Sequence, residues 1–266
     1  MPLNAENICP DTFAGKTIDE ISKLTLWEGN RRRSMKELFQ FEGTLGKTPE
    51  DVTISLHGDL SEAQRIGANM TEGIIIIENS VGMHLGEEMK GGEIIAKGRA
   101  GSWVGSGMTG GKIEVKKDAG NYVGAPYWGS TRGMRGGTIH IRGNAGTEVG
   151  SYMKKGFVKV DGDVDQFVGI HMKDGGIIVR GNAKDRAGAY MTGGKIIICG
   201  HMDSVLPTFT IDNIKNKAKV EGETVNEPFY LFIGDLAEKG LGKLYIAKNK
   251  NLHLKKYEDI IQQIKT

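Results

Sequence analysis

Two short stretches of this 266-residue chain have the residue types and spacing of known chemical sites. Gly105 to Gly110 matches the G-x-G-x-x-G pattern, in which glycines allow the backbone to approach the pyrophosphate of a dinucleotide. Asp161, Asp163 and Asp165 alternate like the acids that open a calcium-binding loop. Both patterns would place backbone amides or carboxylate oxygens around a charged ligand, so each needs a test against its required structural context.

Each pattern lacks something that its chemistry requires. A dinucleotide site must open a helix, whereas residues 111–115 follow the glycines and predict a strand. A calcium loop needs Gly at its sixth position and Glu at its twelfth, but Gln166 and Met172 stand there. Cys199 and His201 form an isolated pair, and the six histidines have no ligand-like spacing. With no nucleophile elbow, Walker loop or H-E-x-x-H, the sequence indicates a scaffold or binding subunit. We expect no catalytic, cofactor-binding or metal-binding residue on this chain.

The glycines belong instead to a 19-residue repeat that occurs seven times. Its glycine column is Gly73, Gly92, Gly111, Gly137, Gly156, Gly175 and Gly194. A methionine column lies three residues upstream: Met70, Met89, Met108, Met134, Met153, Met172 and Met191. Every step is 19 residues except the 26 from Gly111 to Gly137, which indicates an insertion of seven. A fixed period of this size is typical of a solenoid, in which each repeat is one coil stacked on the last.

The pattern inside each repeat predicts an all-β fold. Two apolar columns alternate with polar or variable residues, for example Ile139 and Ile141, or Val158 and Val160, as expected for short strands with one buried face. Frequent glycines mark corners between strands because they tolerate positive φ. We therefore predict a right-handed parallel β-helix, since parallel crossovers are right-handed. Its coils would rise by roughly 4.8 Å each, giving a column on the order of 30–35 Å tall. The number of walls stays open, with three favoured.

The flanks predict caps at both ends, because a solenoid exposes unpaired strand edges. Residues 1–50 form the N-terminal capping segment, where Ser34 and Glu37 begin a short helix. Residues 51–200 form the β-helix, which opens with an imperfect coil at Val52. Residues 201–266 form the C-terminal cap, with a loop over 208–227 and strands at 229–233 and 244–246. The helical spacing of Tyr257, Ile260, Ile261 and Ile264 predicts a final amphipathic helix.

Composition excludes several classes of function. The formal net charge is only +2 with signs interspersed, which argues against a dedicated nucleic-acid binder. Two distant cysteines support neither a disulfide scaffold nor a zinc site. Residues 1–30 have no continuous apolar core, so we expect neither a signal peptide nor a membrane-spanning segment. We therefore expect a cytoplasmic protein that does not contact a membrane.

Two places could form a candidate partner interface. The seven-residue insertion falls within residues 125–133 and carries Tyr127, Trp128 and Arg132, residue types enriched at binding hot spots. It could protrude as a binding loop, or it could fold back over its column and bury Trp128. The basic run of Arg31, Arg32 and Arg33 could be a solvated surface or a docking site for an acidic surface of a partner.

The repeat resembles the C-terminal β-helical domain of glutamate synthase and, more closely, the C subunit of formylmethanofuran dehydrogenase. The resemblance covers about residues 50–200 and is clearest in residues 139–146, Ile-His-Ile-Arg-Gly-Asn-Ala-Gly, and 191–194, Met-Thr-Gly-Gly. A free-standing chain with segments before and after the repeat favours the C subunit. We know of no catalytic residue in that subunit, so the resemblance transfers none to this chain.

The resemblance implies a role in the first step of methanogenesis from carbon dioxide. Carbon dioxide would be reduced to formate at a molybdenum or tungsten pterin centre and condensed with methanofuran to give formylmethanofuran. Those centres, the iron–sulfur clusters and the amidohydrolase-like condensation would belong to other subunits of a hetero-oligomer, with no cofactor on this chain. Three alternatives stay open: the C subunit of a formyltransferase/hydrolase complex, a glutamate-synthase-type module in another complex, and an independent β-helical carbohydrate enzyme.

Overall fold

The alternation of buried and outward residues in each repeat produces a stacked column of β-coils. The computed structural model describes residues 1–44 and 46–265, and side chains through residue 262. Successive repeats place one short strand each in a single eleven-stranded sheet, and the strands of the repeats pair in parallel with one another. Ile75 lies opposite Ile94, and Ile94 lies opposite Ile113, so equivalent residues of neighbouring coils are in register. The fold is the predicted parallel β-helix, and it has about eight turns, including one added at the C-terminal end.

The strands and helices have the following bounds. The strands are β1 (Leu3–Asn4), β2 (Thr25–Glu28), β3 (Arg31–Ser34), β4 (Thr53–Leu56), β5 (Ala63–Gln64), β6 (Ile74–Ile77), β7 (Glu93–Ala96), β8 (Lys112–Val115), β9 (Arg135–Ile141), β10 (Lys155–Val160), β11 (Gly176–Val179), β12 (Lys195–Ile198), β13 (Thr210–Lys215), β14 (Ala218–Val220), β15 (Glu223–Val225), β16 (Phe229–Gly234) and β17 (Gly242–Ala247). The α-helices are α1 (Pro10–Phe13), α2 (Ile18–Ser22), α3 (Met35–Leu38) and α4 (Tyr257–Lys265). Short 3₁₀ turns lie at Pro49–Asp51, Leu236–Glu238, Lys248–Lys250 and Leu252–Lys256.

The apolar columns form the interior of the solenoid. In the coil that contains β8, Ile113, Val115, Val104 and Met108 have no exposed surface, and the equivalent residues of the other coils are buried in the same way. Burying a side chain of this size contributes about 1.5–3 kcal/mol. Each coil therefore adds a similar increment of stability and depends on its neighbours to cover its upper and lower faces.

Coil-to-coil hydrogen bonds also continue beyond the strand column. Isolated parallel bridges join Leu60 to Val81 and Val81 to Ala100 on a second side. On a third side the amide of Gly105 donates to the carbonyl of Leu85 at 2.8 Å. Backbone groups in all three segments of a coil are thus satisfied by the coils above and below.

Sharp corners separate these segments, and glycine is required where the chain bends next to the core. Gly169 has a φ of +67°, and a Cβ placed there would lie 2.5 Å from Cδ1 of Ile196 in the next coil. Any side chain at this corner would therefore displace the core. At another corner an Asn/Asp ladder ties the coils together: Asn144 Oδ1 accepts from the amide of Asp163 at 2.8 Å.

The N-terminal segment caps the first coil with a small sheet. Strand β1 pairs in parallel with β5 of that coil, and the β2–β3 hairpin extends the sheet outward in the order β3-β2-β1-β5. Helix α3 begins at the predicted position, where the carboxylate of Glu37 accepts hydrogen bonds from the amide and hydroxyl of Ser34. The sequence did not reveal the hairpin, whose strand β3 contains the three arginines.

The C-terminal segment differs from the prediction over residues 208–227. Much of this range, expected to be a loop, forms β13, β14 and β15. Strand β13 pairs antiparallel with β16, which pairs antiparallel with β17, and β17 adds in parallel to β12. The β14–β15 hairpin covers Ile178 and Ile197, which point outward from the solenoid yet are fully buried. The strands at 229–233 and 244–246 are confirmed as β16 and β17.

Helix α4 is present at the predicted end of the chain. Ile261 is buried, Tyr257 is half-buried and Ile260 is 42% exposed. The side chain of Ile264 lies outside the described residues. The boundaries of the three predicted segments at residues 50 and 200, and the right-handed sense of the coils, stay predictions.

Candidate partner interface

The insertion loop leaves the solenoid after Ala125 and rejoins it at Gly133, both of which are buried. Between them Tyr127 is 50% exposed and Trp128 is 68% exposed. The loop is organised locally, since the amide of Arg132 donates to the hydroxyl of Ser130 at 3.1 Å, and the Arg132 side chain is exposed. Two large aromatic side chains and an exposed arginine are therefore carried by one surface loop.

This loop folds back on an aromatic stack that runs along the column. His84, Trp103 and Tyr122 occupy equivalent positions in three successive coils, with Trp103 at 5.2 Å from His84 and 4.7 Å from Tyr122 between ring centroids. Trp128 meets Trp103 edge-on at 5.5 Å, and Tyr127 lies 5.4 Å from it. The loop thus buries Trp103, which is only 8% exposed. The interpretation in which it buries Trp128 is wrong, because that ring forms the outer layer.

Polar groups support the inner edge of this stack. Arg65 joins Glu6 at 3.1 Å and Glu87 at 2.7 Å, and Oε1 of Glu87 lies 3.6 Å from Nδ1 of His84. Burial tends to raise the pKa of the Glu87 carboxyl, but His84 and the Arg65 charge outweigh it and lower that pKa. The ionised carboxylate of Glu87 thus lies beside the imidazole on which Trp103 stacks.

The arginine run lies on β3, the outer strand of the N-terminal sheet. Arg33 is held inside the chain by ion pairs with Glu28 at 2.9 Å and Glu37 at 2.7 Å. Arg31 and Arg32 are exposed, and the Arg32 guanidinium lies 5.7 Å from the ring centroid of Trp27. Trp27 is itself 47% exposed. Among the described residues, only Arg33 of the three arginines takes part in an ion pair.

The two predicted sites remain separate in the fold. Across the described residues, no hydrogen bond or ion pair joins Arg31, Arg32 or Arg33 to the loop that carries Tyr127, Trp128 and Arg132. The arginines belong to the cap below the first coil, and the loop belongs to the middle of the column. They would contact different parts of a partner, or different partners.

A second aromatic stack, which the sequence pattern did not reveal, continues along the column from Gly133. Tyr152, His171 and Tyr190 stand at equivalent positions in three coils, with stacked rings 4.4 Å and 4.8 Å apart. Each residue has a positive φ, which non-glycine residues rarely adopt. The signal was available in the position immediately before each methionine of the repeat, but the residue type there changes from coil to coil.

The glycine pattern that resembles a dinucleotide site has a structural role. Gly105 and Gly107 have positive φ at a corner of the coil. The residues that follow enter β8 as predicted, so no helix begins there to bind a pyrophosphate.

The acids that resemble a calcium loop are occupied by contacts within the protein. Asp161 accepts from His140 at 2.8 Å, the Asp163 carboxylate accepts from the amide of Asn182, and Asp165 pairs with Lys184 at 2.5 Å. Their carboxylates bind three different groups and do not converge on a common point.

Both cysteines are buried and free. Burial raises the pKa of the Cys9 thiol to about 12 and that of Cys199 to about 11. Both thiols are therefore protonated at neutral pH, which makes them poor nucleophiles and poor metal ligands. Within residues 1–44 and 46–265, no group of three or more His, Cys, Asp or Glu side chains is placed to hold a metal ion.

The wall near β8 and β9 carries the strongest ion pairing. Glu114 lies 2.8 Å from Lys116 and 2.7 Å from Arg142, which also reaches Asp161 at 3.4 Å. Burial works to raise the pKa of the Glu114 carboxyl, but hydrogen bonds from both cations dominate and lower it to about 2. This network joins three successive coils and is structural in character.

The geometry defines a class: a parallel β-helix with an exposed aromatic loop and aromatic stacks along its column. No helix in the described part of the chain is long and apolar enough to span a membrane. Such a surface is suited to holding other proteins, because Tyr and Trp provide large contact areas that lose little conformational entropy on binding.

Comparison with known proteins identifies what the chain resembles. It is 43% identical over 85 residues to the C subunit of a tungsten-containing formylmethanofuran dehydrogenase from Methanothermobacter wolfeii. It is 41% identical over 83 residues to the C subunit of a molybdenum-containing formylmethanofuran dehydrogenase from Methanosarcina barkeri. The resemblance to the C subunit inferred from the repeat is thus confirmed. No protein-family model matches the chain.

The extent of these matches differs between sequence and structure. The aligned segments cover 32% and 31% of this chain, and 32% and 28% of the two relatives, so the chain spans about a third of the relatives it matches. The fold superimposes far more completely on a chain of the formyltransferase/hydrolase complex of Methylorubrum extorquens, solved with methylofuran. That match has a TM-score of 0.78 and 27% identity, and covers 92% of this chain and 95% of the other.

Proposed function

We propose that this chain is the structural, non-catalytic C subunit of a formylmethanofuran dehydrogenase. That complex would reduce carbon dioxide and fix it on methanofuran as formylmethanofuran in methanogenesis. The observation that carries the proposal is the 43% identity with the C subunit of a dehydrogenase of that name. The agreement with a chain of a multi-subunit complex over almost the whole fold supports it.

The role of the chain in this complex would be mechanical. A solenoid whose coils are joined by hydrogen bonds on all three sides is a stiff column against which larger subunits can pack. The tungsten or molybdenum pterin and the iron–sulfur clusters would be bound by other subunits, as would the amidohydrolase-like condensation site. The described residues do not form a set that fits a metal centre, so we assign no chemical step to this chain.

The insertion loop and the arginine strand are the proposed contact sites. Trp128, Tyr127 and Arg132 would insert into a partner subunit, since exposed Trp, Tyr and Arg side chains commonly dominate binding energy. Arg31 and Arg32 would meet an acidic surface, and Arg33 would hold the hairpin in place through Glu28 and Glu37. The complex would work in the cytoplasm of a methane-producing archaeon.

The second candidate is the C subunit of a formyltransferase/hydrolase complex. It is favoured by the structural match to the Methylorubrum extorquens complex, which covers much more of the chain than the alignments with the dehydrogenase subunits do. The third candidate is a glutamate-synthase-type module in another complex. The three candidate functions differ in the partner chains, not in the chemistry of this polypeptide.

The test is purification of the chain from its native cells under an affinity tag, with identification of the co-purifying chains and metal analysis. We expect amidohydrolase-like, metal-pterin and iron–sulfur subunits together with tungsten or molybdenum. Formyltransferase and hydrolase chains without either metal would select the second candidate. A stable monomer with no partner would overturn both.

Two variants in the loop and one control variant test whether the loop is a contact site. Trp128→Ala and Tyr127→Ala should reduce the yield of partner subunits, because their rings are exposed. Tyr257→Ala is the control, since its half-buried ring packs edge-on against Phe232 in the C-terminal cap, away from the loop. Equal recovery of partners with Trp128→Ala and with the unaltered chain would exclude the loop as a contact site.

A further inference from the structure

A row of cations runs beside the second aromatic stack. Arg135, Lys154 and Lys173 occupy equivalent positions in three successive coils, and all three are exposed. The amide of Lys154 donates to the carbonyl of Met134, and the amide of Lys173 donates to that of Met153, so the row follows the coil stacking. Neighbouring coils lie roughly 4.8 Å apart, which places like charges close together.

These cations are not neutralised within the protein. Two other lysines on the solenoid pair with carboxylates of the preceding coil, Lys97 with Glu78 and Lys112 with Glu93. Among the residues that the structure describes, Arg135, Lys154 and Lys173 take part in no ion pair. The acid next to Lys173 is Asp174, whose Oδ1 accepts from the amide of Gly175. Like charges in neighbouring coils repel each other, so an external anion bound along the row would reduce this repulsion.

The aromatic stack gives the same surface an apolar component. Tyr152 and Lys154 are two residues apart, as are His171 and Lys173, so each of these coils carries a ring and an exposed cation two residues apart. Tyr190 ends the stack and is 50% exposed. Gly133, where the insertion loop rejoins the column, occupies the equivalent position in the preceding coil and lies against the backbone of Tyr152. The surface is therefore continuous with the proposed contact loop.

We propose that this face, formed by the stack Tyr152–His171–Tyr190 and the row Arg135–Lys154–Lys173, docks an acidic segment of a partner subunit that lies along the solenoid axis. Carboxylates of the segment pair with the cations, and its apolar side chains pack on the rings. The occupant is a protein, since the chain as a whole has a net charge of only +2 and lacks the broad basic surface of a nucleic-acid binder. This inference rests on the proposed function and adds the location and charge of the contact.

Zero-length carbodiimide cross-linking of the complex purified from native cells tests the contact directly. The reagent joins a lysine amine to a carboxylate only when the two touch. We expect mass spectrometry to find Lys154 and Lys173 joined to Asp or Glu residues of a partner subunit. Cross-links from these lysines only within this chain, or none at all, would overturn the inference. If the tagged chain brings down no partner, the proposed function fails as well, whereas partners without these cross-links remove only this inference.

Charge reversal provides an independent measurement. The double variant Lys154→Glu/Lys173→Glu should lower the apparent affinity for the partner by about tenfold or more, because attraction becomes repulsion. The control Lys117→Glu/Lys250→Glu makes the same change in net charge at exposed lysines away from the face. It should bind like the unaltered chain. Equal affinity of the two double variants would contradict the proposal.

Discussion

Replacing each of two neighbouring tryptophans by alanine should distinguish an effect on stability from an effect on assembly. The two rings lie 5.5 Å apart. Trp103 is 8% exposed and stacks between His84 and Tyr122, whereas Trp128 is 68% exposed and covers it. We expect Trp103→Ala to lose stability and Trp128→Ala to lose partner binding. The proximity of the two rings makes them good controls for each other.

The magnitudes follow from the burial of each ring. Trp103 removes roughly 200 Å² from water on folding, worth about 5 kcal/mol at about 25 cal/mol per Å², and truncations of this type cost about 3–5 kcal/mol. Trp128 removes only roughly 70 Å², so its replacement should lower the free energy of unfolding by less than about 2 kcal/mol. As a hot-spot residue it should instead weaken association by about 2–4 kcal/mol, or roughly 30- to 1,000-fold.

Urea unfolding followed by circular dichroism measures the first effect, and recovery of partner subunits on a tagged chain measures the second. Circular dichroism avoids the loss of the tryptophan signal itself. An unchanged urea midpoint for Trp103→Ala would refute the packing argument. Undiminished partner recovery with Trp128→Ala would refute the binding argument, because the most exposed ring of the loop would then have no role in assembly.

Three further predictions concern the solenoid itself. Gly169→Ala should lower the free energy of unfolding by about 2 kcal/mol or more, because the new Cβ would meet Ile196. Gly129→Ala is the control: a Cβ there has nothing within 4 Å, so the loss should be only about 1 kcal/mol. Equal urea midpoints for the two variants would contradict this prediction. The folded-state pKa of Glu114 is about 2 against an ordinary 4.5, so the ionised carboxylate stabilises the fold above pH 4.5 and this stabilisation is lost as the pH falls towards 2. In the Glu114→Gln variant the free energy of unfolding should therefore depend less on pH within that window. The same pH dependence in the variant and the unaltered chain would contradict this prediction. Cys199, with a thiol pKa of about 11, should resist maleimide at pH 8 until the protein unfolds, and fast labelling of the native chain would contradict its burial.

The interior of the column could be predicted from the sequence because every coil places the same residue types at the same positions. Ile113 and Met108 recur with a 19-residue period, and both are fully buried. Equivalent positions in successive coils have the same surroundings and therefore favour the same residue types. The repeat for this reason predicted the fold, the strand positions and the corners. The same 19-residue register predicted that strand β8, and not a helix, follows the G-x-G-x-x-G pattern.

The outer surface could not be predicted in this way, because outward positions are free to differ between coils. His84, Trp103 and Tyr122 share a position but not a residue type, so a consensus hides the stack that they form. The repeat also could not show that Ile178 is buried. Its outward side chain is buried by a hairpin from residues 218–225, whose mixed composition resembles a loop.

The interruption of the period located the inserted loop that carries Tyr127, Trp128 and Arg132. The role of these residues at an interface stays a prediction. The sequence could not show that Arg33 is neutralised by Glu28 and Glu37, because that pairing depends on a hairpin that no repeat specifies.

The most direct test of the central claim is an electron cryomicroscopy structure of the complex purified from native cells through a tag on this chain. We expect the β-helix to contact larger subunits through the insertion loop and the adjoining stack, with tungsten or molybdenum bound entirely by another chain. A metal or pterin held by side chains of the stacked coils, or a column whose loop and stack face only solvent, would contradict the account.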